Sequence, residues 1–177
     1  MGAPKAGAEL AGRPLIGYPL AALAAVCERV VVVCKRGTDL PPIDAERWDE
    51  PDDPRHPVAG ITHALERAGE SILVCGADMP FVQPDVCALI AAELRPGMKA
   101  AVAFSEGRLQ PLLAAYAPEA LEVIRLVPAG EPLTRSVESL MPIPVDVDPE
   151  VVFNVNTPED LAEAERRLRS GSSETRP

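Results

Sequence analysis

The chain has 177 residues, 47% of them hydrophobic, and a formal net charge of −10 from 17 Lys+Arg against 27 Asp+Glu. That length supports one well-cored domain, and the hydrophobic content excludes a disordered chain. The acidic balance, with no Lys/Arg cluster able to follow a phosphate backbone, argues against nucleic acid as a partner, and no apolar run approaches a membrane span. With no charged-then-apolar leader in the sequence, the expected setting is soluble and cytoplasmic.

Met1 to Ala11 contains no strand pattern. Ile16, Leu20, Leu23, Val26 and Cys27 recur at helical spacing and predict a helix over roughly Gly17 to Glu28. Arg29 to Cys34 (RVVVVC) reads as a buried strand. Pro41 to Pro57 is rich in proline and acid, with a short strand near Ala45 to Trp48. Val58, Ile61, Leu65 and Ala68 give a second helix, with Gly69 at its C-cap. Ser71 to Cys75 predicts a strand buried on both faces, and Val86, Leu89, Ile90 and Leu94 a helix after Pro84.

Lys99 to Phe104 and Leu112 to Tyr116 read as strands, the first alternating less cleanly. Pro118 to Leu126 and Pro132 to Leu140 read as helices, and Pro142 to Val147 and Val151 to Val155 as strands. Thr157–Pro158–Glu159–Asp160 starts a last helix with a threonine cap, proline in the first position and acids in the first turn. Strands alternating with helices predict an α/β fold around a mainly parallel sheet covered by helices. We expect one domain over residues 1–169, followed by a polar, disordered tail over 170–177.

The four cysteines stand singly in apolar stretches and read as small core residues rather than zinc ligands. His56 and His63 lack the spacing of a metal site. Asp78, in CGADMPF, sits just past the carboxyl end of a strand, where open α/β sheets place ligand chemistry. A carboxylate there can hold a divalent cation against phosphate; the alternative is a turn-capping acid.

Lys5, on a small-residue stretch, can reach phosphate oxygens, or it is an exposed lysine near a terminus. Asp49 is an acceptor for a ribose or base edge, or part of a solvated acidic loop. Pro57 and Gly60 open a helix whose positive end a ligand can approach closely. Asn154 and Asn156 flank Val155 on an expected strand and would point to one side; they bind substrate or complete a metal site, or satisfy loop backbone.

Taken together, these segments resemble the molybdenum cofactor guanylyltransferases, within the molybdopterin and sugar nucleotidyltransferases. MGAPKAGAELAGRPLIGYPL is similar to the back half of that family's signature, and DEPDDPRHPVAGI to its segment from a guanosine-contacting acid to a helix start. VCGADMPFVQPD resembles its metal-binding element, RLQPLLAAY its Pro–Leu segment, and FNVNTPEDL its closing Asn–x–Asn–Thr–Pro–Glu signature. The resemblance covers nearly the whole chain before the tail. It implies a Rossmann-like, three-layer α/β/α nucleotidyltransferase fold.

By the same resemblance, the activity is magnesium-dependent transfer of GMP from GTP to molybdenum-bound molybdopterin, releasing pyrophosphate. Molybdoenzymes or their chaperones would receive the product, and the protein would be a monomer or weak oligomer. The resemblance assigns Lys5 to phosphate, with Gly2 beside the nucleotide, and Asp49 to guanosine. Asp78 would hold Mg2+ with Asn156 as companion ligand. Pro57 and Gly60 would border the substrate, and Asn154 and Pro111 the pterin.

Two departures stand out: His56 replaces the usual glycine before Pro57, and Val33 stands where some members carry a base-contacting asparagine. Met1 falls on a methionine internal to the signature. That placement leads us to expect a misassigned start or a truncated copy, with the first, central strand and most of the phosphate loop outside this sequence. Two other readings stay open: a cytidylyltransferase, which would more often carry Asp where Asn156 stands, and a catalytically silent binding member, against which the intact Lys5, Asp78 and Asn156 speak.

Overall fold

The computed structural model describes residues 8–53, 56–128 and 130–171. In chain order its elements are β1 (Glu9–Leu10), β2 (Arg13–Pro14), α1 (Gly17–Ala24), β3 (Val31–Lys35), β4 (Glu46–Glu50), α2 (Pro57–Ala68) and β5 (Ile72–Cys75). They continue with α3 (Pro84–Glu93), β6 (Ala100–Ser105), β7 (Arg108–Tyr116), α4 (Ala120–Ile124), α5 (Leu133–Glu138), β8 (Ile143–Asp146) and α6 (Pro158–Gly171). α1 stops short of the expected Glu28, because Val26 and Cys27 both turn back onto the Leu23 carbonyl before the β-branched run begins. α2 starts with proline in its first turn and ends on Gly69 at φ 65°, the left-handed conformation glycine adopts without strain.

Hydrogen bonding defines a β1–β2 hairpin, a parallel β3–β4 pair and a four-stranded sheet in the order β5-β7-β6-β8. In that sheet β7 is antiparallel to both β5 and β6, and β8 is parallel to β6. α2 carries the chain from the carboxyl end of β4 back to its start. Its first turn lies against Val33 and Glu50, and Arg67 near its end reaches Glu46 at 3.6 Å. β5 therefore runs the same way as β3 and β4. Of the six longer strands only β7 opposes the rest, which bears out the mainly parallel expectation.

Helices cover both faces. α1 and α3 bring Leu23, Cys87 and Ile90 onto Ala101, Ala103, Leu113 and Val145. α2, α4 and α5 bring Ile61, Leu65, Ile124 and Val137 onto Ala100, Val102, Ala114 and Tyr116. Consecutive residues of β6 thus feed two cores, which is why 99–104 lacks a clean alternation: a strand apolar on both faces has no polar phase. A third cluster joins Leu10 and Leu15 of the hairpin region to Phe81, Val155 and Ala164 of α6.

Three expectations are corrected. Val151–Val155 is not a strand but a run of turns, with Val151 and Phe153 donating to the Asp148 and Glu150 carbonyls. Pro111 does not precede the second strand; it lies inside β7, where the register with β6 shifts between Val102 and Ala103. A bulge tolerates proline because no ladder N–H is required there. Ile72–Cys75 is half-buried throughout rather than buried on both faces, since among the described residues only β7 pairs with it.

β6 and β7 are joined by Glu106–Gly107, both at positive φ (50° and 77°), the two-residue turn that matches strand twist. All four cysteines are free. Burial pushes the Cys87 thiol up to about 11, as expected of core residues. Among the described residues no helix is long and apolar enough to cross a membrane.

The bulge is held by Tyr116, fully buried, whose hydroxyl donates to the Pro111 carbonyl at 2.7 Å. Tyr116→Phe leaves that buried carbonyl without its partner. We expect a loss of about 1–3 kcal/mol in denaturant unfolding, and no loss would show that water replaces the hydroxyl.

Candidate active site

Asp78 lies three residues past β5, and main-chain bonds on both sides fix it there. The Gly76 N–H donates to the Leu112 carbonyl of β7 at 2.7 Å, and the Asp78 carbonyl accepts from the Val155 N–H at 2.9 Å. The carboxylate is half-buried and makes no side-chain hydrogen bond or ion pair among the described residues. Its closeness to Cys75 helps, after burial and Cys87, to push that thiol upward. A Cβ at position 76 would lie 2.9 Å from Asp78 Oδ1 and 3.2 Å from Met79 Sδ. Only glycine leaves the carboxylate where it stands.

The Val155 bond stitches the Asn154–Asn156 segment to the Asp78 turn. Since this segment is not a strand, the two asparagines do not share a face by alternation. Asn154 is half-buried and donates through Nδ2 to the Val152 carbonyl at 2.9 Å, while Asn156 is exposed. Asn156 is held by the start of α6. Its N–H and that of Thr157 both donate to Asp160 Oδ2 at 2.9 Å, and Asp160 N–H donates to Thr157 Oγ1 at 3.1 Å. This reciprocal box satisfies N-terminal amides and sets the path of residue 156. Pro111 precedes Leu112, the acceptor of the Gly76 bond, so β7 brings it to the same end of β5.

Among the described residues no group of three or more His, Cys, Asp or Glu could hold a metal. A magnesium ion needs fewer protein ligands, because it keeps waters and takes phosphate oxygens. The unpaired Asp78 carboxylate with an amide neighbour fits that demand.

At the carboxyl ends of β3 and β4 stands a second group of polar residues. Asp49 is exposed and accepts from Arg47 at 2.7 Å, with Arg36 at 3.9 Å. Arg47 in turn donates to the Lys35, Arg36 and Thr38 carbonyls and shapes the loop after β3. Trp48 and Glu50 point to the other face of β4, under α2, so Asp49 is not brought together with Pro57 and Gly60. Glu50 is: its Oε2 would lie 3.2 Å from a Cβ on Gly60, and Lys35 Nζ is 3.5 Å from its Oε1. Glu50 Oε2 is buried without a hydrogen-bond partner among the described residues.

The sequence reading missed Glu50. The signal was the period of two in ERWDE, which sets Glu50 on the side of Trp48. His56, the departure before Pro57, caps α2 by accepting from Val58 N–H through Nδ1 at 3.2 Å. Gly2 and Lys5 lie outside the described residues.

Residues 1–140 match the MobA-like NTP transferase domain. A molybdenum cofactor guanylyltransferase of Rhodobacter capsulatus is 32% identical over 187 residues, covering 97% of this chain and 92% of that protein. One from Rhizobium leguminosarum bv. trifolii is 31% identical over 188 residues, covering 96% and 88%. Among solved structures, molybdopterin-guanine dinucleotide biosynthesis protein A of Archaeoglobus fulgidus superposes with a TM-score of 0.75 at 27% identity, covering 94% of this chain and 91% of that one. The Thermus thermophilus 2-C-methyl-D-erythritol 4-phosphate cytidylyltransferase shares the fold, with a TM-score of 0.72 at 23% identity over 95% of each chain. An acid presented at the carboxyl edge of a covered, mainly parallel sheet thus has its counterpart in proteins of known class, and this chain belongs to the MobA-like NTP transferase family, a Rossmann-like nucleotidyltransferase.

Proposed function

We propose that the chain transfers GMP from GTP to the phosphate of molybdenum-bound molybdopterin, with Mg2+ as cofactor. The observation that carries this reading is the single main-chain bond from Val155 to Asp78, which joins the acid after β5 to the Asn154–Asn156 segment. The family match and the guanylyltransferase relatives supply the reaction class.

In this reading a pterin phosphate oxygen forms the new bond to the α-phosphorus, the bond from that phosphorus to the α–β bridging oxygen breaks, and pyrophosphate leaves. Asp78 and Asn156 hold the metal, which when bound offsets charge on the phosphate oxygens. Gly76 keeps the space beside Asp78 free of a side chain. Lys5 and Gly2 serve the phosphates, and Asn154 and Pro111 border the pterin. Asp49 serves the guanosine at the β4 end, with Pro57 and Gly60 opening the helix beside it. Such catalysis rests on positioning and electrostatics, and needs no covalent protein intermediate.

The direct test is pyrophosphate release from the 177-residue chain supplied with magnesium, molybdenum-bound molybdopterin and either GTP or CTP. Release with GTP and little with CTP supports the reading. Preference for CTP overturns the nucleotide, and release with neither, alongside metal-independent GTP binding, overturns the activity.

Two substitutions separate chemistry from folding. Asp78→Asn keeps shape and loses charge. It should lower magnesium-dependent transfer by on the order of 10²-fold or more, while the melting temperature stays within the ~2–4 °C equivalent to 1 kcal/mol in a chain of this size. Gly76→Ala should lower transfer through a displaced Asp78. If Gly76→Ala turns over at the wild-type rate, the close packing around that carboxylate has no catalytic role.

Asp160→Ala tests the support of Asn156. Loss of the box should cost about 1 kcal/mol of stability, and the magnesium concentration for half-maximal rate should rise. An unchanged magnesium requirement would detach Asn156 from the metal.

A further inference from the structure

β3 and β5 run in the same direction, yet each has only one ladder partner among the described residues: β4 for the first and β7 for the second. The other edge of each borders one cavity of about 760 Å³. Val31 and Val33 line one wall and Leu73 and Cys75 the opposite wall, while Leu23 of α1 and Ile61 of α2 close the two faces. The cavity therefore lies in the plane of the sheet, between the two helical layers. Its walls are apolar side chains and two rows of backbone N–H and C=O groups.

A small molecule cannot satisfy both rows at once. An extended peptide can, since a strand carries donors and acceptors on both edges and sits ~4.7–4.9 Å from each neighbour. With helices above and below, its side chains would be apolar on both faces, as in covered parallel strands. Five residues, ~17 Å, match the length of β3.

We propose that this slot receives one extended apolar segment, parallel to β3 and β5, which joins the chain ahead of residue 1. The path of the chain assigns the source. Ala8, where the described residues begin, accepts from Leu15 N–H at 2.7 Å, and Leu10 packs with Phe81 and Val155 beside the carboxyl end of β5. A strand running parallel to β5 leaves the slot at that end. Residues 1–7, MGAPKAG, hold no β-branched or aromatic residue, and Pro4 has no N–H to give. They suit a connection better than the strand itself. The polar stretch 172–177, SSETRP, does not suit an apolar slot.

The experiment compares backbone amide exchange in three chains: the 177 residues alone, the same chain preceded by Val-Ile-Ala-Val-Leu, and the same extension with proline at its second and fourth positions. The free pentapeptide at 1 mM with the 177-residue chain is the fourth sample. The fused apolar strand should slow the slot-facing amides of Val31–Lys35 and Ile72–Cys75 by about 100-fold. The proline version and the free peptide should leave them fast. The proposal fails if the fused strand slows nothing, if the proline version protects equally, or if the free peptide protects as well as the fused one. It fails too if those amides in the unextended chain already exchange as slowly as the ladder amides of β6.

Discussion

The placement of Asp78 depends on backbone, not on side-chain contacts. Two N–H groups, those of Gly76 and Val155, tie the turn after β5 to β7 on one side and to the approach of α6 on the other. The carboxylate itself is left with no printed partner, a condition that suits a ligand-holding group. A carboxylate held by an arginine, as Asp49 is by Arg47, must first give up that partner. The contrast between these two acids separates the metal end of the cleft from its base end more sharply than their residue type does.

The antiparallel strand β7 makes this geometry possible. It lies between β5 and β6 and reaches past the end of β5 only because its bulge inserts Pro111–Leu113 opposite the Val102–Ala103 step. The Tyr116 hydroxyl anchors the Pro111 carbonyl, and the next residue but one supplies the last rung to Cys75. An apolar core contact, a buried hydrogen bond and a functional carboxylate are thus linked within one strand. Surface ion pairs contribute far less. Pairs such as Arg125–Glu66 lie in solvent, where each is worth ~0–1 kcal/mol.

Much was legible from local pattern. α2 and α6 were readable because their caps are local chemistry: Gly69 in the left-handed region, and Thr157 with Asp160 within one turn. The element resemblances around Asp78 and Asn156 were readable for the same reason, since each motif is a contiguous string. The strand reading of 151–155 failed because a short β-branched run carries no information about whether a neighbour is there to pair with it. The same limit hid Glu50, whose weight comes from Gly60 and Lys35, ten residues ahead of it and fifteen behind.

The sequence by itself determined the succession of strands and helices, the family, and which acids and amides stand at element ends, because these follow from short-range periodicity and from motif strings. Only the tertiary structure decided that β7 opposes its neighbours, that Val155 reaches Asp78, and that β3 and β5 face one another across an apolar slot. Those facts concern pairing between distant segments, where backbone donors and acceptors are the same for every residue and the side-chain pattern cannot name the partner.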